Sequence, residues 1–282
     1  MHEARPSRTA LRVALRRAAH QVYDAPPLVL DDPFAVQILG PVYADDLRKT
    51  RTRLAKPFSA ALRAFLVARS RYAETCLAQA SSAGIQQYCI LGAGLDTFAY
   101  RNRDASLRIF EVDHPATQAW KLDLLRTAKI HRPENLTLVP IDFEQQHLAT
   151  RLQASGFDSS SPAFFAWLGV VPYLTLDAFR DTLRFVATRP PGSGLVLDYG
   201  QPRNVLPPLE QLAHDSLAER VALAGEPFQL FFTPGSMAAE LLRFRNLVDL
   251  GCDELNQLYF NSRTDGLRIR GSAARIVSAW IP

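Results

Sequence analysis

Apolar residues follow two different spacings along the chain, and the change comes near residue 87. Before it, residues 9–22 and 58–80 place apolar side chains three or four positions apart, as amphipathic helices do. After it, short apolar runs alternate with longer amphipathic stretches. Strands that alternate with helices form a parallel sheet with helices on both faces. The pattern therefore predicts an α/β fold preceded by a helical segment.

The second part of the chain contains the predicted sheet. Strands are predicted at residues 88–91, 107–112, 136–141, 163–168 and 194–199, and helices at 115–129, 144–153, 177–188, 207–224 and 234–245. Two further strands, at 247–251 and 275–281, close the sequence without an adequate helix between them. Because a parallel pair needs a long crossover, these strands are predicted to form an antiparallel edge.

Composition changes this picture little. The 282 residues are 48% hydrophobic and 21% charged, which is typical of a globular protein. The net charge is +4, and part of the basic excess lies in residues 1–71. Aromatic residues do not interleave with these arginines as stacking platforms would. A solvated helical face is therefore favoured over a nucleic-acid surface, and no nucleic-acid partner is expected.

Cysteines and targeting signals add further expectations. Cys76, Cys89 and Cys252 show no metal-ligand spacing and are too few for a disulfide scaffold, so no metal site is expected. No N-terminal stretch resembles a signal peptide, and no apolar run approaches 18 residues. We expect a soluble, cytoplasmic protein with no membrane partner.

The stretch at residues 87–113 carries the most chemical information. A buried apolar run ends at Leu91, Gly92 and Gly94 follow, and Asp113 stands at the end of the next run. Glycines let the backbone approach a ligand closely, and a carboxylate about 20 residues further on can bind a ribose diol. The alternative is an ordinary strand–turn–helix, but the combination predicts a nucleoside-bearing cofactor.

Two residues distinguish between nucleoside cofactors. The dinucleotide fingerprint ends in a third glycine, and here that position is Thr97. A pyrophosphate also needs open amides at the helix start, where Asp96 adds a repelling charge. A ligand with an ammonium group and no phosphate fits better. S-adenosyl-L-methionine (SAM) is such a ligand, and S-adenosyl-L-homocysteine (SAH) is its product after methyl transfer.

Arg69 is out of place in its helix. It lies on the apolar stripe of residues 58–80, between Leu66 and Tyr72. A guanidinium that faces inward needs an anionic partner or a solvated cavity. Arg69 is therefore a candidate ligand-binding residue.

Six motifs spread over residues 68–200 resemble those of a known family. They are ARSRYAE (68–74), ILGAGLDT (90–97), FEVDHP (110–115), PIDFE (140–144), GVVPYLT (169–175) and LDYG (197–200). The family is the leucine carboxyl methyltransferases with their bacterial relatives, which are class I SAM-dependent O-methyltransferases. The resemblance implies a Rossmann-like, doubly wound, mostly parallel seven-stranded sheet with an antiparallel C-terminal edge. It also implies a helical lid at 1–70 over the cofactor and acceptor pocket of a SAM-binding domain at 71–282.

The resemblance implies roles for individual residues. Arg69 would bind the SAM carboxylate. Gly92 and Gly94 would pass under the methionine and ribose, and Asp113 would hold the ribose hydroxyls. The resemblance also assigns roles to three further residues. Asp142 would hydrogen-bond the adenine amino group, Phe143 would lie beside the ring, and Tyr173 would face the cofactor or acceptor.

Alternatives stand beside some of these roles. Asp142 could cap the helix predicted at 144–153, and Tyr173 could be a packed core residue. Five residues before Tyr173 many family members carry a glutamate, where this chain has Leu168. That substitution puts in doubt the contact expected there with the SAM ammonium group.

The resulting hypothesis is methyl transfer from SAM to an oxygen atom of a small-molecule or peptide acceptor. A carboxylate acceptor is ionised near neutral pH and needs no base, whereas a hydroxyl acceptor needs one. No histidine or acid in the sequence stands out as that base. The alternatives are a nucleotide-linked oxidoreductase on a Rossmann fold and a non-catalytic SAM-binding protein. The acceptor and the oligomeric state stay open.

Overall fold

A computed structural model describes residues 7–143 and 145–282, and these residues are built around one mixed sheet. Its seven strands are β1 (Gln87–Leu91), β2 (Arg108–Asp113), β3 (Leu136–Pro140), β4 (Phe164–Trp167), β5 (Gly194–Gly200), β6 (Arg245–Leu250) and β7 (Ala274–Trp280). Their spatial order is β3-β2-β1-β4-β5-β7-β6. Strands β1 to β5 pair in parallel, and β7 pairs antiparallel with both β5 and β6. The predicted seven-stranded sheet with an antiparallel C-terminal edge is confirmed.

Twelve α-helices are present in the described part of the chain. They are α1 (Arg8–Tyr23), α2 (Phe34–Gln37), α3 (Gly40–Lys49), α4 (Arg51–Leu54), α5 (Pro57–Ser82), α6 (Phe98–Arg101), α7 (Pro115–Thr127), α8 (Leu148–Ala154), α9 (Leu176–Ala187), α10 (Pro208–Ala222), α11 (Pro234–Glu240) and α12 (Cys252–Tyr259). No helix of residues 7–143 and 145–282 is long and apolar enough to cross a membrane.

Two details of the predicted elements are wrong. The helix expected at 144–153 begins only at Leu148, and Glu144 lies outside the described residues. The closing strands are joined by α12, a helix of eight residues that the sequence analysis left out. Strand β7 returns from it into the place between β5 and β6, so the antiparallel edge consists of one reversed strand between two others.

The sheet separates two hydrophobic clusters because side chains alternate along each strand. On β1, Tyr88 and Ile90 belong to the cluster that packs on α5, whereas Cys89 and Leu91 belong to the cluster that packs on α9. Both faces of β1 are therefore buried, as expected for a central parallel strand. This burial fixes the position where β1 ends and its loop begins.

The arginines of the N-terminal segment correct another expectation. Arg17 and Arg63 are only 4% and 5% exposed, so the interpretation of a solvated helical face is wrong for both. Arg63 forms a bidentate pair with Asp24, through Nε at 2.8 Å and Nη2 at 2.7 Å. Buried guanidinium groups require such partners because an unpaired charge in the interior is very costly. The pair of Arg63 with Asp24 joins α5 to the residue that follows α1.

Candidate active site

A cavity of about 1630 Å³ opens at the carboxyl ends of the parallel strands. Strand β1 lies between β2 and β4, so the chain turns in opposite directions on its two sides and leaves a crevice there. Helix α1 and residues 223–227 form the opposite wall. All seven residues selected from the sequence line this one cavity: Arg69, Gly92, Gly94, Asp113, Asp142, Phe143 and Tyr173.

The glycine loop after β1 has a backbone that disfavours other residues. Gly92 and Gly94 have φ angles of +71° and +51°. A Cβ atom on Gly92 would lie 2.2 Å from the Cγ2 atom of Val170, and one on Gly94 would lie 3.1 Å from the Cβ atom of Ala10. Glycine at these positions therefore brings the loop close to the β4 connection and to α1, and leaves its backbone open to the cavity.

Asp113 is held by backbone amides at the end of β2. Its Oδ2 atom accepts from Gly94 N at 2.5 Å, and its Oδ1 atom accepts from His114 N at 2.6 Å. Burial raises the pKa of Asp113, and these two amide bonds only partly offset it. The carboxylate keeps lone pairs beyond the two amide bonds, and they can accept from further donors.

Glu111, the other acid of this strand, has a structural contact instead. It is 1% exposed, and its Oε2 atom accepts from Lys121 Nζ at 2.7 Å. Lys121 also donates to the carbonyl oxygen of Asp96 at 2.6 Å. The acid that reaches the cavity is therefore Asp113.

Arg69 is buried at the floor of the cavity and already has an acidic neighbour. Its Nη1 atom donates to Asp198 Oδ2 at 2.7 Å. Arg69 and Asp198 are only 7% and 5% exposed. Its Nε atom has no hydrogen-bond partner among the described residues. Sequence reasoning found the arginine but not the aspartate, because the two are 129 positions apart.

Tyr173 follows β4 in a short 3₁₀ turn, Val171–Tyr173. Burial raises its pKa to about 12, so the phenol is protonated at neutral pH and can donate a hydrogen bond. Its ring packs against Phe228 with centroids 5.2 Å apart, and its carbonyl oxygen accepts from Gln229 Nε2 at 2.7 Å. The hydroxyl interacts with the Thr9 side chain. Tyr173 therefore joins the strand ends to the opposite wall.

Three cavity residues escaped the sequence analysis because they become neighbours only through folding. Glu226 accepts from Thr9 N at 3.0 Å and also from the Thr9 hydroxyl, which fixes the start of α1 against residues 223–227. Arg17 of α1 donates to Asp96 Oδ2 and Thr97 Oγ1, each at 2.9 Å. No local sequence signal marks these contacts, because their partners lie 79 to 217 positions away.

Asp96 and Thr97 thus have partners that the sequence did not reveal. Both bind Arg17, and Thr97 Oγ1 also donates to Asp32 Oδ2 at 2.7 Å. Asp32 in turn accepts from Arg17 Nη2 at 2.7 Å. Asp96 and Thr97, the two residues that depart from the dinucleotide-binding pattern, therefore attach α1 to the glycine loop.

Comparison with known families decides the assignment. The family model described as leucine carboxyl methyltransferase matches residues 10–187, which include most of α1, the glycine loop and Tyr173. The chain belongs to the leucine carboxyl methyltransferase family. It is a SAM-dependent methyltransferase, and its cofactor is SAM.

Individual relatives agree with this assignment. The chain is 31% identical over 293 residues, covering 95% of each protein, to a Bacillus subtilis (strain 168) protein named "Putative S-adenosyl-L-methionine-dependent methyltransferase YktD". A Mycobacteroides abscessus protein with the same description, without the name YktD, is 33% identical over 197 residues, or 68% of this chain and 64% of that protein.

Solved structures share the fold. A crystal structure described as a "putative methyltransferase" from Thermobifida fusca YX has a TM-score of 0.62 at 17% identity, covering 99% of this chain and 96% of that one. A DUF574 family protein from Streptomyces avermitilis has a TM-score of 0.59 at 18% identity, covering 88% and 96%. At these identities the likeness concerns the fold alone.

The site of this leucine carboxyl methyltransferase family member fits SAM. A Cβ atom at Gly92 would disturb the backbone of the glycine loop. Without one, the loop leaves room for a ligand against its backbone. Asp113 can accept from ribose hydroxyls at one end, and Arg69 lines the cavity at the other with N–H donors that Asp198 does not use. Leu168, where many members carry a glutamate, packs partly buried against the hydrophobic cluster beside α5. Its neighbour Trp167 is fully buried and stacks on Phe179.

Proposed function

We propose that the protein transfers the methyl group of SAM to a carboxylate or hydroxyl oxygen of a small-molecule or peptide acceptor. The observation that carries this proposal is the single cavity that joins the glycine loop and Asp113 to Arg69, Tyr173 and the α1 wall. Its volume of about 1630 Å³ leaves space for an acceptor beside a cofactor. Family membership supports methyl transfer, and an oxygen acceptor is the family's characteristic chemistry.

The residues divide into a cofactor end and an acceptor end. In the proposal, Asp113 accepts hydrogen bonds from the ribose, and Asp142 and Phe143 receive the adenine. Arg69 receives the carboxylate of the amino-acid part. All of these side chains line the cavity, and Arg69 reaches it from α5 whereas Asp113 reaches it from the end of β2.

The acceptor end combines Tyr173 with the N-terminal wall. SAM supplies a methyl group on a sulfonium, so the protein's main task is to align an oxygen with that group and exclude water. The neutral phenol of Tyr173 can donate to an acceptor oxygen, and the contact between Thr9 and Glu226 closes the wall behind it. A carboxylate acceptor needs no base. For a hydroxyl acceptor, Glu226 is the carboxylate that folding adds to this end.

We further propose that residues 1–70, of which 1–6 lie outside the described part of the chain, serve as a lid over the cofactor and acceptor pocket of residues 71–282. Helix α1 contributes Thr9, Ala10, Val13 and Arg17 to the cavity wall. Helix α5 carries the chain across the boundary, so the lid is anchored to the sheet by a continuous helix. Arg17 fixes the other side of the lid to the glycine loop.

The experiment uses SAM labelled in its methyl group. The purified protein is incubated with matched acids and alcohols of one carbon skeleton, and with peptides that end in a free carboxylate or an amide. We expect label transfer to oxygen: a methyl ester releases labelled methanol in alkali, and a methyl ether does not. Transfer to nitrogen or carbon would contradict O-methylation. Turnover of a nicotinamide cofactor would favour the oxidoreductase, and SAM binding without transfer to any acceptor would favour a non-catalytic protein.

A further inference from the structure

We propose that Asp198 is a positioning residue that holds Arg69 for the amino-acid end of SAM. The proposal rests on the cofactor site described above. It concerns a residue that binds no ligand directly in our scheme and that the sequence analysis did not select. Its basis is a buried arrangement of three residues from three parts of the chain.

Asp198 uses both carboxylate oxygens within the protein. Its Oδ2 atom accepts from Arg69 Nη1 at 2.7 Å, and its Oδ1 atom accepts from Gly169 N at 2.5 Å. Gly169 and Arg69 both line the cavity, whereas Asp198 is 5% exposed. The Asp198 carboxylate thus holds both the Arg69 side chain and the Gly169 amide, which line the cavity, from a buried position.

The strand register brings Asp198 beside the residues that follow β4. Trp167, the last residue of β4, pairs with Leu197 on β5 in parallel. Asp198 comes directly after Leu197 and Gly169 comes two positions after Trp167, so the carboxylate lies within reach of the Gly169 amide.

Gly169 restricts Arg69 from the other side. Its φ angle is +73°, and a Cβ atom built on it would lie 2.7 Å from Arg69 Nη2 and 3.1 Å from Arg69 Nη1. The guanidinium therefore packs directly against the glycine backbone while Asp198 binds one of its ends. Only a residue without a side chain permits this position of Arg69.

The arrangement leaves Arg69 able to bind a carboxylate. An arginine offers five N–H donors, and Asp198 binds one of its nitrogen atoms, so donors remain for the carboxylate in the amino-acid part of SAM. Asp198 also offsets the desolvation cost of the buried arginine when the cavity holds no cofactor.

A plain structural role is the competing interpretation, because the pair also ties α5 to β5. The test compares two ligands, SAH and 5′-methylthioadenosine, which shares the adenine, ribose and sulfur but lacks the amino-acid part. Isothermal titration of wild type and D198N gives both affinities. We expect about tenfold or greater loss for SAH, as for a hydrogen bond to a charged group, and less than about twofold change for methylthioadenosine. Equal losses for both ligands, or an unchanged SAH affinity, would overturn the proposal.

A double variant tests whether Asp198 acts through Arg69. In the R69L background, D198N is expected to cause no further loss of SAH affinity, since its effect needs the arginine. An additive loss would show that Asp198 acts independently and would reject the positioning role. Melting of the ligand-free variants shows whether each is folded.

A glycine variant keeps the test decisive if D198N does not fold. G169A places a Cβ atom against the Arg69 guanidinium while leaving both charges present, so the same selective loss of SAH affinity is expected. G192A is the matched control, because Gly192 has a φ of +87° but nothing within 4 Å of its Cβ position. Loss of SAH affinity in G192A as well would attribute the effect to backbone strain. If wild type binds neither ligand, the cofactor site itself is wrong, which is a different result.

Discussion

Asp113 shows how one residue can be prepared for a ligand by the backbone around it. Two amides hold its carboxylate at the end of β2, and the cavity lies beyond. D113A is expected to weaken binding of SAM by about 1–3 kcal/mol because it removes a charged acceptor for the ribose hydroxyls. Isothermal titration measures this loss. Methylthioadenosine should lose as much as SAH does, unlike in the Asp198 variant.

The outcome that would contradict this role is an unchanged dissociation constant in a folded D113A protein. The ribose contact would then have to be elsewhere. Glu111 is a poor substitute, because it is buried and bound to Lys121.

Gly92 illustrates a steric requirement at the same scale. G92A combines a φ of +71° with a Cβ atom 2.2 Å from Val170 Cγ2, so we expect it to destabilise the fold by about 1–3 kcal/mol. Chemical denaturation measures the change. G266A is the control for strain alone, because Gly266 has a φ of +74° and nothing within 4 Å of its Cβ position. V170A should partly restore G92A, and equal losses in G92A and G266A would exclude a steric contribution.

At the scale of elements, the junction between α1 and α5 depends on Asp24. Its carboxylate accepts from Arg63 and, at 2.8 Å, from His20 Nδ1, while His20 Nε2 accepts from Val29 N at 3.1 Å. Burial raises the pKa of Asp24, but the hydrogen bonds from His20 and Arg63 outweigh it, so the pKa is lowered from 3.8. A carboxyl group whose pKa is lowered by folding stabilises the protein at pH values above its pKa in the unfolded state. This stability is lost as the pH falls through its pKa in the folded state.

The free energy of unfolding of wild type should fall relative to that of D24N as pH drops below about 4. Above that pH the variant should be less stable by a constant amount, since it strands the buried Arg63. Urea denaturation between pH 3 and 6 gives both curves. Parallel curves over the whole range would show that Asp24 does not carry this pH dependence.

At the scale of the whole molecule, the cavity should couple ligand binding to folding. SAM or SAH at 100 times its dissociation constant is expected to add about 2.7 kcal/mol to the free energy of unfolding. NAD and NADP should add nothing, because Asp96 lines the cavity at the start of the helix, where its carboxylate would repel a pyrophosphate, and Arg17 holds it there. Thermal melts with each ligand measure this. Stabilisation by NAD alone would reject the cofactor assignment for this site.

The sequence by itself determined the sheet, the glycine loop and the residues that follow each strand. This was possible because fully buried parallel strands appear as short apolar runs, and because the carboxyl ends of such strands meet at one edge. Six of the seven selected residues consequently line one cavity, and Arg69 reaches the same cavity from α5. The local pattern predicts an element less well where packing decides its ends. The helix predicted at 144–153, for example, begins only at Leu148.

Only the tertiary structure decided the partners of the buried charges. The sequence pattern placed Arg69 inward but Arg17 and Arg63 on a solvated face, yet each of the three is buried against carboxylates between 15 and 129 positions away. A helical period shows which side of a helix faces inward, but not which strand or loop arrives there. Asp198 meets Arg69 because β5 packs beside β4 under α5, and that contact depends on the order of strands in the sheet.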